Sequence, residues 1–255
     1  MALNLLILGG TAEAFALAVC LAGDARFATT YSLAGRTQTP RKPPLPTRIG
    51  GFGGIEGLTV YLRDHAIDVL VDATHPFAEQ ITSNADIAAA AMRIPLIVLE
   101  RPAWQPSARD RWMFVPGLAA AAAALPDEPE RIFLAVGRQS LAPFASKPQH
   151  HYVIRVIDPP DIPAAMLDVV ILTGRGPFDL VEEIHLLSDH RISRLVSKNS
   201  GGTAASAKLD AARALGLPVI LVERPTNPGV AALTSVDGVM ERLALHHASL
   251  AKRSE

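Results

Sequence analysis

The feature that most restricts the fold of this chain is an internal echo. Ile94-Pro95-Leu96-Ile97-Val98-Leu99-Glu100-Arg101-Pro102 is matched almost position for position by Leu217-Pro218-Val219-Ile220-Leu221-Val222-Glu223-Arg224-Pro225. Each copy follows a short apolar strand (Val69-Leu70-Val71 in the first, Arg194-Leu195-Val196 in the second), a polar loop and a helix-forming stretch. Short apolar runs bounded by polar loops suit strands buried on both faces of a parallel sheet. A strand–loop–helix–strand unit occurring twice predicts two Rossmann-like, doubly wound parallel-sheet α/β domains flanking a central cleft, with ligands beyond the carboxyl ends of the strands. Pro126-Asp127-Glu128-Pro129 reads as the linker, giving a first domain over 1–128 and a second over 129–255. Chance recurrence of Glu-Arg-Pro after two ordinary strands is the plainer explanation, and the length of the match speaks against it.

The chain opens on Asn4-Leu5-Leu6-Ile7-Leu8-Gly9-Gly10-Thr11-Ala12-Glu13, an apolar strand, a glycine turn and the start of a run of helix formers. That arrangement offers backbone N–H groups to a pyrophosphate at the positive end of a helix. The G-x-G-x-x-G fingerprint is only approximated by Gly9-Gly10-Thr11-Ala12-Glu13-Ala14, so the turn alone suits an ordinary connection equally well. The next strand, Ala28-Thr29-Thr30-Tyr31-Ser32-Leu33, ends in Ala34-Gly35-Arg36-Thr37. An NAD site places a carboxylate at this strand end for the ribose 2′-hydroxyl, whereas an arginine there accommodates a 2′-phosphate. Arg36 supplies the planar fork, Thr37 a hydroxyl, and no Asp or Glu is present, so the reading favours NADP(H). A solvated arginine at a loop start is the bland alternative.

With 19% charged and 49% hydrophobic residues, the chain has the balance of a globular protein. A formal charge of −1 argues against a broad nucleic-acid or membrane surface, though not against a local basic pocket. The single cysteine, Cys20, excludes an internal disulfide and reads as a small core residue of the first helix; no metal site is expected. Residues 1–23 lack a basic n-region and are interrupted by Gly9, Gly10 and Glu13, so they do not read as a signal peptide. The expectation is a cytoplasmic enzyme without nucleic-acid or membrane partners.

Further along, the prolines at 40, 43, 44 and 46 demand an extended loop, and Gly50-Gly51-Phe52-Gly53-Gly54 opens a helix over about 55–65. Asp72-Ala73-Thr74-His75-Pro76 follows a buried strand, with Pro76 suited to the first helical position and His75 to a cap. The expected cleft-facing loops carry Arg36, Thr74, His75, Arg101, Trp104, Arg138, Arg175, Lys198, Asn199, Ser200 and Arg224. Cations after strands in a chain of balanced charge suit a polyanionic ligand. Ser197-Lys198-Asn199-Ser200-Gly201-Gly202-Thr203 is the sharpest case, combining charge, hydrogen bonds and bare backbone at a helix start; a capped helix is its bland reading. Arg101 and Arg224 suit structural pairing with carboxylates as well as ligand contact. Trp104 suits stacking on a flat ligand or filling a domain junction. The Tyr-x-x-x-Lys pair, the P-loop, the G-x-S-x-G elbow and the H-E-x-x-H helix are all absent, and the pairs His150-His151 and His246-His247 read as solvated.

Taken together, these motifs resemble the precorrin-6A reductase family of cobalamin biosynthesis. The resemblance rests on Ile7-Leu8-Gly9-Gly10-Thr11-Ala12-Glu13, Ala34-Gly35-Arg36, Gly51-Phe52-Gly53-Gly54 and Asp72-Ala73-Thr74-His75-Pro76-Phe77-Ala78. It continues through Glu100-Arg101-Pro102 with Trp104, Ser197-Lys198-Asn199-Ser200-Gly201-Gly202 and Glu223-Arg224-Pro225. The turn Thr226-Asn227-Pro228-Gly229 carries it least. It implies NADPH-dependent reduction of one double bond in precorrin-6A to give precorrin-6B, the substrate being a conjugated tetrapyrrole with many carboxylates. In that reading Gly9, Gly10, Thr11, Gly35, Arg36, Thr37 and Thr74 hold NADPH. Arg101, Trp104, Lys198, Asn199, Ser200, Gly201 and Arg224 hold the substrate, and His75 is the proton source. A transient hand-over to neighbouring enzymes of the route is implied as well. Two other readings compete: an NADP-dependent reductase of a small carbonyl compound, which leaves the clustered cations unexplained, and a non-catalytic dinucleotide-binding redox sensor.

Overall fold

The computed structural model describes residues 2–225 and 231–251, so the turn at 226–229 lies outside the described residues. The chain divides into two compact units, Met1–Pro102 with Thr226–Glu255 and Ala103–Pro225. Each is an all-parallel α/β unit.

In the first unit the strands are β1 (Leu3–Leu8), β2 (Phe27–Leu33), β3 (Thr47–Ile49), β4 (Val69–Asp72) and β5 (Leu96–Val98), in the order β3-β2-β1-β4-β5. The unbroken apolar run of β1 follows from burial on both faces. Leu5 and Ile7 enter one core with Leu17, Ala18 and Leu21 of α1 (Ala12–Leu21) and Val239 and Leu243 of α7 (Val236–Ala251). Leu6 and Leu8 enter another core with Leu58 and Leu62 of α2 (Gly54–Asp64) and Ala85, Ala88 and Ala89 of α3 (Glu79–Met92). The strand order reverses beside β1, which places a topological switch point between β1 and β4.

The second unit contains β6 (Arg111–Val115), β7 (Arg131–Ala135), β8 (His151–Val156), β9 (Val169–Thr173), β10 (Arg194–Lys198) and β11 (Pro218–Val222), ordered β6-β11-β10-β7-β8-β9. Between them run α4 (Leu118–Ala123), α5 (Leu180–Asp189) and α6 (Ala207–Ala214). Phe133, Val153, Leu195, Val219 and Leu221 form one core with Leu187 of α5 and Leu209, Ala211 and Ala212 of α6. The switch point here lies between β7 and β10.

The echo reappears as paired geometry. Asp72 is registered with Val98 and Ser197 with Leu221, so β4–α3–β5 and β10–α6–β11 are equivalent units. Continuing that register, Thr74 matches Asn199. Ile7 pairs with Val71 as Leu134 pairs with Val196, so the glycine turn at Gly10 matches Gly137, and both have positive φ (120° and 86°).

Several expectations are corrected. The units divide at 102/103 and 225/226, not at 128/129, because β6 pairs with β11 and α7 packs with α1. Cys20 is exposed, lying off the buried stripe Ala14, Leu17, Ala18 and Leu21. His150 is only 1% exposed, so it is not a solvated histidine. Pro76 sits in a turn, and α3 begins at Glu79.

Candidate functional site

At the switch point of the first unit, Thr11 connects the two strand-end loops. Its Oγ1 accepts from the Ala14 N–H at 3.0 Å, capping α1, and donates to the Ala73 carbonyl at 2.8 Å. Ala12 and Glu13 then present first-turn N–H groups that no intrahelical carbonyl can reach. The two glycines have different causes. A Cβ on Gly9 would lie 2.2 Å from the Tyr31 ring, whereas one on Gly10 would meet nothing within 4 Å. The Gly10 N–H donates to Tyr31 Oη at 3.1 Å, and burial pushes the Tyr31 hydroxyl above its ordinary pKa despite that bond. Gly9 is therefore explained by a buried tyrosine, and Gly10 by its backbone conformation beside open space.

The end of β2 carries Gly35 (φ 75°), the exposed Arg36 and the half-buried Thr37, with no carboxylate between Ala34 and Arg48. Sequence reading missed Arg48. Its Nη1 donates to Ser32 Oγ at 2.8 Å and to the Gly50 carbonyl at 2.9 Å, its Nη2 donates to the Gly51 carbonyl at 3.1 Å, and its guanidinium lies 3.9 Å from the Phe52 ring centroid. The glycine-rich segment before α2 is thereby fastened to β2. Its signal was an arginine two residues before a cluster of glycines, with nothing local to name its partners.

After β4, the buried Asp72 carboxylate accepts from both the Thr74 N–H (3.0 Å) and the Thr74 hydroxyl (2.7 Å). Thr74 thus offers lone pairs, not its hydrogen, to anything that approaches it. His75 Nδ1 accepts from the Phe77 N–H at 3.2 Å, which assigns the proton of the neutral ring to Nε2. Arg101 Nη1 donates to Glu13 Oε2 at 2.7 Å, tying the end of this segment to the first turn of α1.

In the second unit, Lys198 Nζ donates to Ser140 Oγ at 2.8 Å, joining the end of β10 to the turn after β7 across the switch point. Asn199 is buried and turned inward: its Oδ1 accepts the Trp104 N–H (2.8 Å) and its Nδ2 donates to the Trp104 carbonyl (3.2 Å). Trp104 Nε1 donates to the Gly202 carbonyl at 2.8 Å, and the buried Lys208 ammonium lies 4.5 Å from the indole. Arg224 Nε donates to the Asn199 carbonyl at 2.8 Å. Gly201 and Gly202 both have positive φ (67° and 75°), a backbone conformation that favours glycine at each position. Lys198, Asn199, Ser200, Gly201, Trp104 and Arg224 therefore gather around one loop. Gly9, Gly10, Thr11, Thr74, His75 and Arg101 belong to the other unit, as do Gly35, Arg36 and Thr37 at its β2 end.

A second missed feature is the buried ion pair of Arg155 on β8 with Glu183 on α5. The Arg155 guanidinium sits 3.8 Å from the Phe178 ring centroid, in the segment that also carries the exposed Arg175. A charge inside the otherwise apolar run Tyr152-Val153-Ile154 was the available clue.

The family model described as precorrin-6x reductase CbiJ/CobK matches residues 4–244. The chain belongs to this family. Among curated members, the precorrin-6A reductase of Rhodobacter capsulatus is 49% identical, over 96% of this chain and 98% of that protein. That of Rhodococcus erythropolis is 50% identical, over 94% of this chain and 96% of the other. The cobalt-precorrin-6A reductase of Priestia megaterium is 30% identical, over 87% and 90%. A solved structure, CobK precorrin-6A reductase, superposes with a TM-score of 0.90 at 48% identity, covering 96% of this chain and 97% of that one. Among the described residues, no helix of this precorrin-6x reductase family member is long and apolar enough to cross a membrane.

Proposed function

We propose that the chain reduces one carbon–carbon double bond of precorrin-6A to give precorrin-6B in the cytoplasm, with NADPH as reductant. The curated precorrin-6A reductases described above are 49% and 50% identical to this chain, against 30% for the cobalt-precorrin-6A enzyme, which favours the metal-free ring as substrate. For the cofactor, the carrying observation is the β2 end, where Arg36 is exposed and no carboxylate is present to prefer a 2′-hydroxyl. The open space over Gly10 and the capped start of α1 suit a diphosphate. Gly9, Gly10 and Thr11 would hold that diphosphate, while Gly35, Arg36 and Thr37 would hold the 2′-phosphate end.

Bound there, reduced nicotinamide supplies a hydride to an electrophilic carbon of the macrocycle, and the neighbouring carbon gains a proton. His75, whose Nδ1 is occupied by the Phe77 N–H, is assigned as the source of that proton through Nε2, acting from the protonated ring. Thr74, its hydroxyl hydrogen committed to Asp72, accepts from a ligand N–H. Lys198, Ser200 and Gly201 receive carboxylates of the substrate, and Asn199, Trp104 and Arg224 hold the loop in shape. Most of the rate enhancement then comes from positioning.

Anaerobic NADPH oxidation, followed optically with and without precorrin-6A, tests the reading; oxidation indifferent to the corrinoid rejects it. Arg36→Ala is expected to weaken NADPH about tenfold or more while leaving NADH nearly unchanged, the loss of one charge-assisted phosphate contact. Equal losses for both dinucleotides would remove the 2′-phosphate role. Lys198→Ala is expected to raise the KM for the corrinoid about tenfold and spare that for NADPH.

A further inference from the structure

The repeated Glu-Arg-Pro has an unexpected position. Pro102 and Pro225 are the last residues before each passage of the chain between units, and the arginine before each reaches back into its own unit. Arg224 donates to the main chain of Asn199, in the Lys198 loop. Arg101 donates to Glu13, in the first turn of the helix that starts at the glycine turn. In both copies the arginine fastens the exit of the chain to a strand-end loop at the switch point. Arg101 and Glu13 lie 88 residues apart, are only 15% and 25% exposed at their side chains, and form a 2.7 Å charge-assisted bond. A carboxylate at this position needs an explanation if an anion binds nearby, because it would repel that anion.

We propose that Arg101 is a positioning residue for the cofactor turn, acting through Glu13 and not by contact with the substrate. The guanidinium neutralises Glu13 and fixes the first turn of α1, and with it the N–H groups presented by Ala12 and Glu13. This rests on the NADPH reading above and deepens it. It differs from a substrate-carboxylate role in which residue pair should behave as one.

The test is a double-mutant cycle on the full chain, reading the NADPH dissociation constant by fluorescence and the corrinoid KM by steady-state kinetics. Arg101→Gln and Glu13→Gln are each expected to weaken NADPH about five- to tenfold, the double variant no more than either, with the corrinoid KM within twofold of wild type. Arg101→Lys, which keeps a charge and a donor, should recover part of the loss. Two results would overturn the proposal: Glu13→Gln binding NADPH as tightly as wild type or tighter, as removal of a repelling charge predicts, or Arg101→Gln raising the corrinoid KM while sparing NADPH. A variant that loses cooperative melting is replaced in the cycle by its conservative form, Arg101→Lys or Glu13→Asp, and the same criteria apply. If wild type binds no NADPH, the cofactor reading has failed, and the coupling is then read from melting temperatures, where additive losses overturn it.

Discussion

His150 shows how one side chain can set the acid limit of a unit. Its Nδ1 accepts the Glu130 N–H at 3.1 Å, and its burial holds the imidazole below its ordinary pKa, against the opposing pull of the Glu130 carboxylate. The unfolded chain, with a histidine pKa of about 6.5, therefore takes up the proton first as pH falls. The His150 contribution is fully present above that value and is lost as pH drops through it towards the lower folded pKa, with a slope of at most about 1.4 kcal/mol per pH unit. Urea melts between pH 8 and 5 should show this limb, and His150→Asn, which keeps an acceptor for Glu130, should flatten it. An unchanged limb in the variant would exonerate His150. At this scale the sequence names the strand-end loops but not the partners of their side chains. Lys198-Asn199-Ser200 stands out in the sequence as a polar loop, yet Asn199 spends its side chain on Trp104, 95 residues away, a pairing no local pattern could announce. Gly9 reads as a phosphate glycine in the sequence, and its missing side chain also makes room for the Tyr31 ring, a neighbour 22 residues away in the chain.

At the scale of elements, legibility followed burial on both faces. β1, β4, β7 and β10 were readable as apolar runs because the central strands of a doubly covered sheet have no polar side to present. The pairing of β4 with β5 and of β10 with β11 was encoded in the echo. β6 was located but assigned to the wrong unit, because its partner β11 lies about a hundred residues downstream and strand order is not a local property. α7 was not assigned at all, although Val239 and Leu243 are fully buried in the core that also contains Leu17, Ala18 and Leu21 of α1. Leu243→Ala should accordingly cost about 2–5 kcal/mol, seen as a lowered urea midpoint with little change in slope. A cost below about 0.5 kcal/mol would mean that α7 is a dispensable cover.

For the whole molecule, the second unit is a continuous insertion, Ala103–Pro225, whereas the first is assembled from both sides of it. Residues 103–225 carry a complete six-stranded sheet and its own core, and should fold when expressed alone, with a cooperative melt. Residues 1–102 alone lack the helix that covers Leu17 and Leu21, and should bind hydrophobic dyes and associate. A non-cooperative 103–225 fragment would show that its stability is borrowed from the remainder of the chain. The proline-rich stretch at 126–129 was mistaken for a boundary because composition marks flexible-looking chain, while membership of a unit is decided by which strands and helices pair.

The discontinuity of the first unit has a consequence during synthesis. When Pro102 leaves the ribosome, five strands are made but the core that α1 shares with β1 still lacks α7, which begins at Val236. At roughly 5–20 residues per second, the interval is on the order of ten seconds, during which the later-born insertion can mature first. The nascent chain thus spends its most aggregation-exposed period with a finished module at its growing end and an unfinished one behind it.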